Sequence, residues 1–150
     1  MEDLAIFDPR RKDNLFVTDP TPGFVTCRFG APGVITEGHF DGPPNMVAVI
    51  SGRRRWILAP PAECKNANLF PLGHPSERQS QLDWATPDLI QFPNFAQMKA
   101  TEVLLFVPSY WLHHVSSLDS NIQCNAFSQN LSSRGKAEIG ECGLSMHESP

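Results

Sequence analysis

Short apolar runs separated by proline and glycine are the feature that most constrains the fold of this chain. Fourteen prolines and ten glycines are spread over 150 residues. Proline interrupts helices and inner strands, and glycine favours turns, so this pattern favours many short strands over long helices. The clearest predicted strands are residues 23–29, 46–50, 53–58, 103–107 and 121–127. We expect residues 53–58 to form a hairpin with 46–50 through Ser51-Gly52, in a mostly β protein.

Length, charge and cysteine spacing narrow the class of protein. The chain is long enough for one domain with a buried core, and its formal charge of −4 gives no general attraction to nucleic acid or to an anionic membrane. The N-terminus has no signal-peptide pattern, and no stretch of 18 apolar residues occurs. Four cysteines without a Cys-x-x-Cys pair are interpreted as reduced thiols of a cytoplasmic or nuclear protein. They are Cys27, Cys64, Cys124 and Cys142.

Composition divides the chain into three segments. Residues 1–22 are an irregular, proline-containing lead-in, residues 23–130 carry the predicted strands, and residues 131–150 form a polar tail that we expect to be disordered. Inside the central domain, residues 62–99 form a long polar connection. A connection of this length inside a compact domain is usually functional, so we expect a lid or a binding loop there.

A histidine and an aspartate lie two positions apart in segment 36–45. In an extended strand the side chains of His39 and Asp41 point to the same side, where they offer two donors to a metal ion. Two histidines and one carboxylate form the metal-binding face of non-haem Fe(II) oxygenases, and His113 is the candidate for the third donor. The pattern is short, and the alternative is that both residues are polar residues of a surface turn.

Three consecutive arginines precede Trp56. Alternation in a strand places Arg54 on the side of Trp56 and places Arg53 and Arg55 on the opposite side. If the Trp56 side is the interior, only Arg54 is buried, and a buried guanidinium requires an anionic partner such as a carboxylate. The alternative is an exposed edge strand with all three arginines in solvent.

Five motifs between about residues 33 and 127 resemble the JmjC and cupin-like branch of the Fe(II)- and 2-oxoglutarate-dependent oxygenases. They are Thr-x-x-His-x-Asp-x-x-x-Asn at 36–45, Gly-x-Arg-Arg-x-Ile-Leu-x-Pro-Pro at 52–61, His-Pro-x-x-Arg-Gln-Ser-Gln-x-Asp at 74–83, Phe-Pro-Asn-Phe at 92–95 and Tyr-Trp-x-His-His-Val at 110–115. Within this branch the motifs are most similar to asparaginyl hydroxylases of the factor-inhibiting-HIF type. The resemblance implies a double-stranded β-helix, or jelly-roll, with the metal at one mouth of the barrel.

The resemblance also implies roles for seven residues. The residues that match the Fe(II) ligands are His39, Asp41 and His113, and the residues that match the pocket of the cosubstrate 2-oxoglutarate are Thr36, Asn45, Arg54 and Asn125. His114 would face away from the metal. Arg54 matches a lysine that holds the far carboxylate of 2-oxoglutarate. The planar guanidinium, which can form two parallel hydrogen bonds, would thus replace an ammonium group. The implied partners are O2, 2-oxoglutarate and a protein side chain as substrate.

Departures from the family pattern predict an incomplete barrel. Glu102 runs into residues 103–107 without the usual Gly-Asp turn, and the upstream segment that supplies early strands and a pocket tyrosine has no match. Three functions are therefore considered: a dioxygenase that hydroxylates a protein side chain, a catalytically impaired scaffold that serves as an interaction module, and a metal cupin of another reaction class with Zn or Mn. A buried Arg54 facing the metal favours the first over the third, because it requires a dicarboxylate. The oligomeric state is not predicted.

Overall fold

Two antiparallel sheets of four strands each make up the fold. It is described by a computed structural model that covers residues 25–84, 94, 96–128 and 131–144. Its elements are β1 (Val25–Gly30), β2 (Ile35–Phe40), β3 (Asn45–Ser51), β4 (Arg54–Ala59), a 3-10 helix (Pro61–Cys64), β5 (Ala96–Ala100), β6 (Leu104–Val107), β7 (Leu112–Ser117), β8 (Asn121–Phe127) and α1 (Ser133–Gly140). The strand orders are β1-β8-β3-β6 and β2-β7-β4-β5. This mostly β, two-sheet arrangement is consistent with the predicted jelly-roll.

The connection between β3 and β4 joins the two sheets. β3 pairs with β6 and β8, whereas β4 pairs with β5 and β7. The predicted hairpin between these two strands is therefore wrong. Gly52 has a φ of +75°, and a Cβ at this position would collide with the backbone of Ser120 and Asn121. Ser51-Gly52 thus lies where the chain passes from one sheet to the other. Residue types alone do not distinguish such a connection from a hairpin turn.

β4 contributes to two separate cores because its side chains alternate. Trp56 and Leu58 belong to the cluster between the sheets, while Ile57 and Ala59 belong to a cluster on the outer side of β4 and β7. The cluster between the sheets contains Val47, Val49, Trp56, Leu58, Ala100, Val107 and Val115. This alternation also brings Arg54 to the inner side, as the sequence predicted for an arginine that shares the side of Trp56.

A helix follows the last strand and packs on the outer cluster. The backbone N–H of Gly135 donates to the Ser132 hydroxyl at the N-cap of α1, 3.1 Å away, and Ile139 is fully buried. The expectation of a disordered tail is therefore wrong for residues 131–144, because a few buried apolar side chains are sufficient to hold this polar segment on the domain. Residues 145–150 and the predicted lead-in, 1–22, lie outside the described residues.

The four cysteines form two disulfides. Cys27 and Cys124 lie opposite each other on β1 and β8, and Cys64 is linked to Cys142 after α1. The prediction of four reduced thiols is therefore wrong, since pairs that are 97 and 78 residues apart in sequence meet only in the folded chain. The argument from reduced thiols to a cytoplasmic or nuclear location loses its premise. No helix among the described residues is long and apolar enough to span a membrane.

The short connection after β5 does not remove a strand from the described core. β5 and β6 lie in different sheets and are joined through residues 101–103, where Glu102 adopts a φ of +47°. This residue supplies the change of direction that a glycine-containing turn would otherwise provide. Within the described residues β7 pairs with both β2 and β4, which positions His113.

Candidate metal and dicarboxylate site

Three potential metal donors meet at one end of the space between the sheets. His39 on β2 lies directly opposite His113 on β7, and Asp41 follows the end of β2. Nε2 of each histidine is 3.7 Å from Oδ2 of Asp41, and the donor atoms of all three residues lie within 4.8 Å of one another. The backbone N–H of Tyr110 donates to the Asp41 carbonyl over 2.9 Å, which ties the aspartate to the turn before β7. The three predicted ligands are thus brought together.

A bulge in β2 sets the side to which Thr36 points. The register of β2 against β7 shifts between Thr36 and His39, so both line the same cavity although they are three residues apart. Gly38 lies within this bulge, and a Cβ there would overlap the indole of Trp84. The bulge therefore requires glycine because an aromatic ring closes over it.

Hydrogen bonds orient both imidazoles. Nδ1 of His39 lies 2.8 Å from the carbonyl oxygen of Glu37, and Nδ1 of His113 lies 3.0 Å from that of Trp111. Because a carbonyl only accepts, each Nδ1 carries the proton and each Nε2 keeps its lone pair. Both lone pairs belong to the nitrogens nearest Asp41, in the arrangement used by metal-binding histidines.

Protonation states suit a divalent ion. Burial lowers the pKa of His113 to about 4, assisted by the charge of His39, so its imidazole is neutral at pH 7. Burial by itself raises the pKa of Asp41, but its electrostatic interactions with His39, His113 and Arg78 outweigh burial, and the net pKa is lowered. A neutral imidazole and an ionised carboxylate are the forms that bind metals.

Arg54 faces the three donors from the same cavity, which has a volume of about 440 Å³. Its side chain is only 7 % exposed. Its Nε donates to Oδ1 of Asn121 over 2.6 Å, and its Nη1 donates to Oε1 of Gln123 over 3.0 Å. Among the described residues Arg54 has no carboxylate partner. The cavity therefore has an uncompensated cation opposite a potential metal site, as the alternation of β4 and the family motif both predicted.

The cupin-like domain family matches residues 6–133 of the chain. This chain belongs to the cupin-like domain family. The match begins and ends outside the predicted domain limits of 23 and 130, and it includes most of the predicted lead-in.

Relatives of this cupin-like domain include proteins with different names. HSPB1-associated protein 1 of Rattus norvegicus is 36% identical over 104 residues, which are 63% of this chain and 21% of the relative. The tRNA wybutosine-synthesizing protein 5 of Danio rerio is 30% identical over 112 residues, 71% of this chain and 33% of the relative. The Jumonji C domain-containing protein 5 of Drosophila melanogaster is 32% identical over 127 residues, 77% of this chain and 30% of the relative.

This cupin-like domain thus spans about a fifth to a third of the length of these relatives. They support the resemblance to cupin-like and JmjC-type domains. They do not support the particular similarity to asparaginyl hydroxylases of the factor-inhibiting-HIF type.

The remaining predicted pocket residues line the same cavity of the cupin-like domain. Thr36, Asn45 and Asn125 contribute to its walls, and Asn125 accepts a hydrogen bond from Nε2 of Gln123 over 2.7 Å. Oδ1 of Asn45 is buried, and no atom in the described part of the chain forms a hydrogen bond with it. A buried polar atom without a partner is costly, so this amide oxygen and a guanidinium that binds only neutral amides in the same cavity fit a bound polar ligand.

Sequence reasoning missed three residues near Arg54: Asn121 and Gln123 on β8 are buried, and Arg28 on β1 is exposed. Arg28 lines the cavity, and burial together with the charge of Arg28 lowers the pKa of Arg54. Asn121 and Gln123 bind the guanidinium directly. The alternation of polar residues with Cys27 and Phe29 in β1, and with Ile122 and Cys124 in β8, is the signal that identifies this inner side.

Arg78 connects the long loop to the metal donors. Its Nη1 lies 3.3 Å from Oδ1 of Asp41, and its carbonyl accepts a hydrogen bond from the Phe40 backbone over 3.2 Å. The next residue, Gln79, forms a bridge with His39. Arg78 adopts a φ of +71°, which is uncommon for a residue with a side chain and costs conformational energy. The part of the loop around Arg78 therefore contacts the site, as expected for a functional connection.

Proposed function

We propose that this cupin-like domain is an Fe(II)- and 2-oxoglutarate-dependent dioxygenase that hydroxylates a protein side chain. The observation that carries the proposal is the position of Arg54. It is buried, and among the described residues it has no carboxylate partner, in the cavity that also contains the donors of His39, Asp41 and His113. A divalent ion at one end and a guanidinium at the other match a small molecule with a chelating group and a second carboxylate.

His39, Asp41 and His113 would hold Fe(II). When bound, Fe(II) and 2-oxoglutarate supply the oxidation of a C–H bond by O2, with succinate and CO2 as products. The chain provides two Nε2 lone pairs fixed by backbone carbonyls and one carboxylate whose pKa is lowered. Because the chain would supply three ligands, further coordination positions would stay available for the cosubstrate and O2.

Arg54 would bind the far carboxylate of 2-oxoglutarate, together with the hydroxyl of Thr36. Asn45 and Asn125 offer amide groups that would orient the ligand between the two ends. Trp56 and Val115, which belong to the buried apolar cluster between the sheets, form an apolar part of the cavity wall. All the residues given a role here line the cavity.

The substrate is proposed to be a protein side chain presented along the loop that contains Arg78 and Gln79. This loop touches Asp41 and β2, so a group bound against it would lie beside the metal donors. One relative is named for the synthesis of a tRNA nucleoside. The formal charge of −4 supplies no general attraction to RNA, which favours a protein over a nucleic acid.

An anaerobic titration tests the proposal. Purified chain is titrated with Fe(II) and then with 2-oxoglutarate, and the weak visible charge-transfer band of the chelate is recorded. We expect the band in the native chain, its loss in His39→Ala, and a much higher 2-oxoglutarate requirement in Arg54→Gln. Binding of Fe(II) without 2-oxoglutarate supports a metal cupin of another class, and binding of neither supports a scaffold.

Turnover is then measured as succinate formed from 2-oxoglutarate in air, with His39→Ala as the control. Formation of succinate in the native chain and not in the variant is expected. A native chain that binds both ligands and forms no succinate contradicts the enzymatic proposal and supports the catalytically impaired scaffold.

A further inference from the structure

A ladder of buried side-chain hydrogen bonds runs along β8 from Arg54 toward the metal end. Asn121, Gln123 and Asn125 alternate along the strand, so all three point to the inner side. Arg54 donates to Asn121 and Gln123, and Gln123 donates onward to Asn125 over 2.7 Å. None of these four residues is more than 7 % exposed. A buried network with its members bonded to one another has little freedom to rearrange.

Asn121 is itself held from two sides. Its Nδ2 donates to the carbonyl of Asp119 over 2.7 Å, which fixes the side-chain oxygen as the acceptor for Arg54. Gly30 lies opposite it on β1, and a Cβ at Gly30 would come within 2.8 Å of Oδ1 of Asn121. The amide therefore occupies space that a larger residue at position 30 would take.

The ladder leaves one nitrogen of the guanidinium for a ligand. Nε and Nη1 donate to the two amides, whereas Nη2 has no partner among the described protein atoms. The position of Nη2 is then determined by Asn121 and Gln123 more than by the flexible stem of Arg54. Neutral amide oxygens orient the guanidinium and preserve its positive charge for an anion.

We propose that Asn121 and Gln123 are positioning residues that fix Arg54 and thereby set the length of the dicarboxylate that the cavity accepts. The proposal rests on the proposed function, since the metal and Arg54 are taken as the two ends of the ligand. A fixed cation at one end and fixed donors at the other discriminate against a ligand that is one methylene longer. A free arginine side chain adapts to both lengths.

The test measures binding of two probes, 2-oxoglutarate and the longer 2-oxoadipate, by calorimetry on the full chain loaded with Mn(II) in place of Fe(II). In Gln123→Glu the new carboxylate forms an ion pair with Arg54 and cannot donate to Asn125. We expect the affinity for 2-oxoglutarate to fall about 100-fold, because the guanidinium of Arg54 then pairs with the new carboxylate at position 123 instead of with the far carboxylate of the ligand. The affinity for Mn(II) should change by less than about threefold, because the metal donors are untouched.

Two further variants distinguish the effect of the orientation of Arg54 from the effect of its charge. Gln123→Leu and Asn121→Ala keep Arg54 charged and remove one support each, so we expect the preference for 2-oxoglutarate over 2-oxoadipate to decrease about fivefold in each. A structural defect alone weakens both probes equally and leaves this ratio unchanged. Gln97→Glu, the same exchange on the exposed strand β5, is the matched control and should bind both probes like the native chain.

The outcomes are distinguishable. If the native Mn(II) protein binds neither probe, the proposed function itself fails and the ladder has no ligand to position. If it binds 2-oxoglutarate and Gln123→Glu binds it equally well, or if neither support variant changes the length preference, the inference about the ladder is overturned while the proposed function stands. Should Gln123→Glu not fold, as judged by thermal unfolding, the two support variants decide the result.

Discussion

His39 and His113 face each other across adjacent strands, with ring centroids 4.2 Å apart. The next residue, His114, points to the opposite side of the sheet and stacks on Trp84. His113 and His114 therefore have different environments. His113 lies between the two sheets, and His114 lies on the other side of its sheet, against Trp84. This difference provides a matched pair for testing the metal site.

His113→Ala should reduce metal affinity at least about 100-fold, because one of three donors is removed. His114→Ala should change metal affinity by less than about threefold, although it removes a buried ring and lowers stability. Calorimetric titration with Mn(II) or Zn(II) compares the two variants. Equal losses of affinity would show that the site is not the one formed by His39, Asp41 and His113.

Arg78→Gln should weaken metal binding about tenfold, because Asp41 loses a charged neighbour that holds its carboxylate and lowers its pKa. Arg134→Gln is a suitable control, since Arg134 is exposed and pairs with Glu138 within α1, away from the metal donors. The same metal titration measures both. An unchanged affinity in Arg78→Gln would mean that the loop does not support the metal donors.

Gly38→Ala should destabilise the chain by about 2 kcal/mol, because the new methyl group overlaps the indole of Trp84 above the β2 bulge. Gly140→Ala at the end of α1 is the opposite case. No described atom beyond the helix backbone and the chain neighbours lies within 4 Å of the new Cβ there. The free energy of unfolding should therefore rise by about 0.5 kcal/mol, because alanine restricts the unfolded chain. Urea unfolding compares them, and a neutral Gly38→Ala would indicate that Trp84 does not cover the bulge in solution.

Acid should destabilise the metal-free chain between about pH 6.5 and pH 4. Burial and the charge of Arg55 lower the pKa of His114 to about 4, so the unfolded state takes up its proton at a higher pH than the folded state. The free energy of unfolding therefore rises with pH over this window and reaches its full value above about pH 6.5. His113 acts in the same direction, because its pKa is also lowered to about 4.

The measurement is the urea midpoint at several pH values with a chelator present. His114→Phe keeps a ring against Trp84 and removes the titration, so its midpoint should depend less steeply on pH between 6.5 and 4 than that of the native chain. Identical slopes would show that His114 does not titrate abnormally.

Breaking the Cys64–Cys142 disulfide should cost about 4 kcal/mol, since it closes a loop of 78 residues and joins the segment after α1 to the 3-10 helix. The variant Cys64→Ser with Cys142→Ser is compared with the native chain by urea unfolding under non-reducing conditions. Mass spectrometry after alkylation without reductant provides the control. Four alkylated thiols in the native chain would contradict both disulfides.

Local patterns were sufficient for several strands and for the three residues His39, Asp41 and Arg54. Period-two alternation is a property of any extended chain, so Arg54 and Trp56 had to share a side wherever the strand lay. The same rule placed His39 and Asp41 together. Family motifs added His113, which no local spacing connects to them.

Only the tertiary structure decided which strands pair and which distant residues meet. Ser51-Gly52 is compatible with a hairpin and with a crossing between sheets, and the crossing is favoured because it packs Gly52 against the turn before β8. The cysteine pairs, the burial of Ile139 in α1 and the ladder from Arg54 to Asn125 depend on contacts between residues far apart in sequence. The physical reason is that alternation fixes the side of a strand on which a residue lies, while packing of the whole chain selects what lies opposite.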